Sequence, residues 1–205
     1  MKIVLIRHGE SEANRMYNKE DPILCGRWDC PLTEKGACQA MKLENDPMIA
    51  DADIVFSSPL KRAYRTAELI NAGRIIIDDR LTERTMGEFD GKRANELKDD
   101  PAYSAYFNNP DLMDFRQSFR TRAPGGENYG DVEQRAREFL MDISKEKYSK
   151  VIIVSHFCTI RCLMKILMNL SEEDMLKLRI MPCDPITVEF DEKASLLFCI
   201  SEKLT

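Results

Sequence analysis

The chain carries two histidines, and each stands just beyond a short apolar run. His8 follows Ile3-Val4-Leu5-Ile6-Arg7, and His156 follows Val151-Ile152-Ile153-Val154-Ser155. Short β-branched runs with little alternation read as strands covered on both faces. Both imidazoles are therefore expected at the carboxyl ends of strands, the edge where open α/β sheets bind ligands. An imidazole there can serve as nucleophile, base or acid. A lone histidine is more often a satisfied core residue, but two out of two at matching strand ends argue for one site.

Cations and a carboxylate fall at the same expected edge. Ser58-Pro59 reads as a helix start, with Ser58 as N-cap and Pro59 at the first helical position. Leu60, Ala63, Tyr64, Ala67 and Ile70 follow at the spacing of one helical face, and Asn71-Ala72-Gly73 ends it. Arg62 lies in the first turns, where free N–H groups and the helix dipole favour anions and a guanidinium adds a fork matched to phosphate oxygens. Alone, Arg62 reads equally well as a solvated charge like Lys61. Arg7 points away from His8 for as long as the strand alternation lasts. Glu83 stands a short loop beyond the strand expected at Ile75–Asp78. Beside an anion and partly buried, a carboxyl gains proton affinity and becomes a candidate general acid; without an anion it is an ordinary loop glutamate.

The elements that must position these groups follow from the pattern. Strands are expected at Lys2–Ile6, Asp53–Ser57, Ile75–Asp78 and Val151–Ser155. Helices lie between them: one capped by Thr33 and running to about Asn45, the one after Ser58, one through Val132, Ala136, Phe139, Leu140 and Ile143, and one through Ile160, Leu163, Met164 and Leu167. Strands alternating with helices imply βαβ units and a mostly parallel sheet. The expected class is α/β, a three-layer α/β/α arrangement in a single domain spanning 1–205. Ile186–Phe190 and Leu196–Ile200 read as a hairpin at the sheet edge. The stretch from about 84 to 127 breaks the alternation. It is polar, holds Pro101, Pro110 and Pro124, and carries Tyr103, Tyr106, Phe107, Phe115 and Phe119. It reads as an inserted helical cap over the carboxyl edge, where substrate choice often resides, although most of its aromatics are expected only to pack it down.

Bulk properties narrow the function classes. A formal net charge of -5 over 205 residues lacks the electrostatic footprint of a general nucleic-acid binder. No apolar stretch nears the roughly 18 residues of a membrane span, and the N-terminus lacks a signal-peptide pattern. Seven scattered cysteines without a C-x-x-C pair read as reduced thiols of a cytoplasmic protein. A zinc site from Cys25, Cys30 and Cys38 matches no structural spacing.

Several stretches in order resemble the histidine phosphatase superfamily, which includes cofactor-dependent phosphoglycerate mutases. They are Arg7-His8-Gly9-Glu10; Cys25-Gly26 with Asp29-Cys30-Pro31-Leu32-Thr33-Glu34-Lys35-Gly36; Ser57-Ser58-Pro59-Leu60-Lys61-Arg62-Ala63 with Thr66-Ala67; Leu81-Thr82-Glu83-Arg84 with Gly87; Pro124-Gly125-Gly126-Glu127; and Val154-Ser155-His156. The resemblance implies a phosphoglycerate mutase-like sheet and a pocket built around a phosphohistidine. His8 resembles the nucleophile. Arg7, Arg62 and His156 resemble the rest of the phosphate pocket, Glu83 the proton donor, and Asn14 a further polar contact. Cys25, Gly26 and Phe157 fall among the implied substrate-binding positions. The family usually has a small residue where Phe157 stands, so its ring is a departure that narrows the pocket or shifts the acceptor. The resemblance implies no metal and no cofactor, since arginines and the second histidine supply the charge.

Mutases of this superfamily carry a Tyr-Gly and a Gly-Leu-Asn-Lys-type stretch soon after the acid. Here the region reads Thr85-Met86-Gly87-Glu88-Phe89-Asp90-Gly91-Lys92, which resembles the phosphatase branch. The expected activity is metal-independent phosphomonoester hydrolysis of a small phosphorylated metabolite. A cofactor-dependent mutase is the alternative, and a catalytically silent phospho-ligand binder a lesser one. Arg116, Arg120 and Arg122, three arginines in seven cap residues, are candidates for a second anionic group on the substrate, against the bland reading of a solvated basic face. The natural substrate is not legible, and a homodimer stays open.

Overall fold

A computed structural model describes residues 1–190. Five strands form one sheet: β1 (Lys2–Arg7), β2 (Ile54–Ser57), β3 (Ile75–Ile77), β4 (Lys150–Ser155) and β5 (Ile186–Glu189). Their order is β3-β2-β4-β1-β5. β1, β2, β3 and β4 run parallel, and β5 joins β1 antiparallel. The α/β class with a mostly parallel sheet is therefore as expected. The second half of the expected hairpin, Leu196–Ile200, lies outside the described residues.

The uninterrupted apolar runs work because both faces of the central strands are covered. One face of β1, β2 and β4 presents Ile3, Leu5, Ile54, Phe56, Val151 and Ile153 to helices α6 (Tyr129–Ile143) and α7 (Phe157–Met168). The opposite face presents Val4, Ile6, Val55, Ile152 and Val154 to α2 (Glu34–Met41) and α3 (Lys61–Leu69). These strand side chains are almost wholly buried, and removing a large one costs about 2–5 kcal/mol. β3 is the exception, since it is an edge and Ile77 is exposed.

Several boundaries differ from the sequence reading, among them the end of α2 at Met41 rather than near Asn45. α3 begins at Lys61, with Leu60 in the capping position and no side-chain cap bond. Ser58 lies two residues before that position, where its hydroxyl accepts from Leu60 N–H at 3.3 Å and also meets His156 Nε2. α6 starts at Tyr129, three residues earlier than its apolar periodicity, because Asn128 and Asp131 form a reciprocal capping box. α1 (Glu12–Arg15) is a single turn capped by Ser11 and Asn14, too short to leave a periodic signal. Thr33 caps α2 as expected.

The inserted region holds α4 (Ala94–Asp99) and α5 (Ala105–Asn108) around a cluster of its own. Phe89 is its centre, with the rings of Tyr103, Tyr106 and Phe115 edge-on at 5.1, 5.2 and 5.6 Å. Leu24 belongs to the same cluster, and residues 22–24 pair with 91–94 through backbone hydrogen bonds. The covering structure thus draws on residues 22–24 as well as on 84–127. The last helix, α8 (Glu172–Lys177), follows a left-handed Asn169 (φ 52°) and leads to β5.

Candidate active site

The ends of three neighbouring strands bring the two histidines together. Arg7 of β1 pairs with Ser155 of β4 in register, so the residues that follow, His8 and His156, emerge side by side. Their ring centroids are 5.0 Å apart. The His8 N–H donates to Ser155 O at 3.0 Å. β2 flanks β4 on its other side, and Ser58 N–H donates to Val154 O. Ser58 Oγ thereby comes 2.8 Å from His156 Nε2. Gly9 is needed next to His8, since a Cβ there would run into Gly36 O at the start of α2.

The two ring nitrogens of His8 have different partners. Its Nδ1 lies 2.7 Å from Gly9 O, and a carbonyl can only accept, so Nδ1 carries the proton. Nε2 then bears the lone pair, and Arg62 Nε–H points to it at 3.3 Å. Burial first, then the charges of Arg62 and Arg7, hold His8 well below the usual imidazole range, against the Gly9 carbonyl. His156 is depressed as well, by burial and then by Arg62 and His8.

Arg62 is buried and precisely oriented through its own fork. Its Nη1 donates to Trp28 O and its Nη2 to Gly26 O, each at 2.8 Å. Arg7 Nη1 donates to Ile180 O at 2.8 Å, while its buried Nε has no partner. His156 Nδ1 is likewise buried without a partner. Two of the groups flanking His8 thus keep an unused polar atom, which a native interior rarely tolerates without a reason. Burial lowers the proton affinity of Arg7, while Glu83 raises it.

Glu83 is buried at the start of α7. Its carboxylate accepts from Arg84 N at 2.8 Å and from Cys158 N at 3.2 Å. Arg7, His8, Asn14, Cys25, Arg62, Glu83 and Phe157 all line one cavity of about 570 Å³. Gly26 does not line it; its carbonyl serves Arg62 instead. His156 lies fully buried against His8. Asn14 Oδ1 caps α1 by accepting from Ser11 N at 3.1 Å. The Cys25 and Cys30 thiols neighbour each other. The interaction pushes Cys25 up and Cys30 down, to about 5. No group of three or more metal-ligating side chains occurs among the described residues.

Of the three cap arginines, only Arg116 lines the cavity. Arg122 is paired with Asp131 at 3.2 Å. Arg116 is placed by Arg84, whose buried guanidinium donates to Phe115 O at 3.2 Å and Arg116 O at 2.7 Å. Asp90 ties the two covering segments together: Oδ1 accepts from Gly26 N at 2.5 Å, and Oδ2 from Arg27 N and Met86 N at 3.1 Å each. Sequence reasoning missed Arg84, Asp90 and the role of Ser58. Their partners are backbone atoms or residues up to 98 positions away, which leave no periodic or spacing signal.

Residues 3–200 match the histidine phosphatase superfamily (branch 1), and the chain belongs to that family. It is 30% identical over 169 residues to phosphoserine phosphatase 1 of Hydrogenobacter thermophilus, covering 80% of this chain and 74% of that protein. It is also 30% identical over 196 residues to 2,3-bisphosphoglycerate-dependent phosphoglycerate mutase 2 of Gloeobacter violaceus, covering 91% and 84%. Among solved structures, the α-ribazole phosphatase of Shigella flexneri superposes with a TM-score of 0.79 at 27% identity, covering 94% of this chain and 92% of that one. The family's relatives thus include both phosphatases and mutases.

Proposed function

We propose that the protein hydrolyses small phosphomonoesters through a phosphohistidine at His8, without a metal. The observation that carries this reading is the setting of His8: Nδ1 holds its proton against Gly9 O, and the Nε2 lone pair receives Arg62 Nε–H. Nε2 attacks phosphorus and the bond to the leaving alkoxide breaks. Arg62 Nε–H passes from Nε2 to a phosphoryl oxygen, and Arg7 Nε and His156 Nδ1 gain the partners they lack in the free protein. These fixed donors face the equatorial oxygens, where charge accumulates, and need little reorganisation. Glu83 gives its proton to the leaving oxygen. Its carboxylate then takes a proton from water, which attacks phosphorus as the P–N bond breaks. Phosphate leaves and His8 returns to its starting form.

Arg116, in the cavity lining and without a salt bridge among the described residues, suits a substrate with a second anionic group on the leaving side. Relatives named for phosphoserine and phosphoglycerate support that class, since both ligands carry a carboxylate. Phosphate release from a panel of phosphomonoesters with and without such a group tests the reading. Release from at least one supports hydrolysis. Isomerisation of phosphoglycerate that depends on 2,3-bisphosphoglycerate, with no free phosphate, would replace it with mutase activity.

A further inference from the structure

Arg161 lies one helical turn into α7 and does not line the cavity, yet its contacts converge on Arg7. Its Nη2 donates to Leu176 O and Leu178 O at 2.7 Å each, and its Nε to Leu178 O at 3.1 Å. These bonds hold the end of α8 and the segment that follows it. Two residues further along that segment, Ile180 O accepts from Arg7 Nη1, and Cys183 N–H donates to Arg7 O at 2.9 Å. A second route runs through an aromatic ring. The Arg161 guanidinium sits 4.1 Å from the Phe157 ring centroid, and that of Arg7 sits 5.3 Å from the same ring. A guanidinium over an aromatic face is held in orientation as well as attracted. Arg7 has no carboxylate partner within ion-pair distance among the described residues, so backbone and ring alone aim it.

We infer that Arg161 is a positioning residue for the phosphate site, setting the Arg7 guanidinium through the Phe157 ring and through the 176–183 segment. The Phe157 ring has its place here, as an apolar surface that both guanidiniums approach. This rests on the reading of Arg7 as a phosphate ligand. The consequence reaches His8, whose proton affinity the Arg7 charge lowers. The other charged or titratable groups around His8 and its cavity are Arg62 on α3, His156 at the end of β4, Cys158 on α7, Glu83 beyond β3, Cys25 and Cys30 in the loop before α2, Glu10 and Tyr17 on either side of α1, and Arg116 in the cover.

The test measures competitive inhibition by inorganic phosphate and the pH dependence of kcat/KM in Arg161→Met and Arg161→Lys. In Arg161→Met, the phosphate inhibition constant should rise about tenfold (roughly 1.4 kcal/mol at 25 °C). The acid limb should move to higher pH, because a retreating Arg7 no longer disfavours protonated His8. Arg161→Lys keeps a cation over the ring but loses the fork, so it should recover part of both effects. If Arg161→Met does not fold, Phe157→Leu keeps most of the volume and removes the π face, and should move the same two quantities. Variants that lower kcat or melting temperature while leaving the phosphate constant and acid limb in place would overturn the inference. Native protein that fails to bind phosphate at all would instead sink the proposed function.

Discussion

The floor of the site and its cover are built on opposite plans. The floor is backbone-determined: β1, β4 and β2 are in register, and whatever residue follows each strand is delivered to one point. His8, His156 and Ser58 meet because strands four to six residues long end together. The cover is side-chain-determined. It consists of short helices and turns gathered around Phe89, and its segments are tied to one another by Asp90, Arg84 and Arg27 reaching backbone atoms and carboxylates across sequence gaps. A rigid floor suits a fixed reaction. A cover assembled from individual contacts can change its lining residues without disturbing the sheet, which suits the selectivity proposed for Arg116.

The largest expected effect lies on the floor. His8→Ala should lower kcat by about 10⁴-fold or more, since without a nucleophile only binding and charge stabilisation remain. Retained turnover would mean that the floor is not where the reaction occurs. Glu83→Gln removes the proton donor while leaving a hydrogen-bonding amide. It should cost about 10²–10⁴-fold, with a smaller deficit for substrates whose leaving group is already a weak base. An equal loss for good and poor leaving groups would contradict proton donation.

The cover should respond differently. Phe89→Ala removes a fully buried ring and should cost about 3–5 kcal/mol of stability. Hydrogen exchange should place the loss in residues 85–127 first, with β1 and β4 protected longer; uniform loss of protection would erase the distinction between floor and cover. Arg116→Ala should raise KM about tenfold for phosphomonoesters with a second anion, roughly 1.4 kcal/mol, and leave simple phosphomonoesters near their original KM. An unchanged ranking of substrates would remove Arg116 from recognition.

The contrast also explains what the sequence made legible. Both histidines, Arg62 and Glu83 could be placed because short apolar runs and helix starts carry a local signal, and the residue types at their ends are chemically distinctive. Ser58 was misplaced for the opposite reason. Its position before Pro59 fits an N-cap, and its hydroxyl does accept from Leu60 N–H, but only the neighbouring strand end reveals that it also meets His156. Most of the cover lay beyond reach. Nothing in the spacing of Leu24, Phe89 and Phe115 announces a shared cluster, because hydrophobic contact between distant segments has no period. The resemblance of the motif blocks supplied the phosphate chemistry, and the geometry fixes the His8 tautomer through Gly9 O.

A smaller effect follows from the two depressed imidazoles. Folding holds His8 and His156 below the ~6.5 of a free histidine, so the unfolded chain binds more protons below that value. The stability from these two groups is fully present above about pH 6.5 and declines as pH falls towards their folded values. The acid limb of kcat/KM, where neutral His8 is required, should likewise lie below about 6.5. An acid limb above it would show that His8 is charged in the free protein.

Covalent capture tests the central claim most directly. The protein is mixed with a ³²P-labelled phosphomonoester that it turns over, quenched rapidly in alkali, digested and mapped. Label that is stable in base, labile in acid and confined to the peptide holding His8 is the predicted result. It should be absent from His8→Ala. Normal phosphate release from native protein with no protein-bound label at any quench time, or label on another residue that survives in His8→Ala, would contradict it.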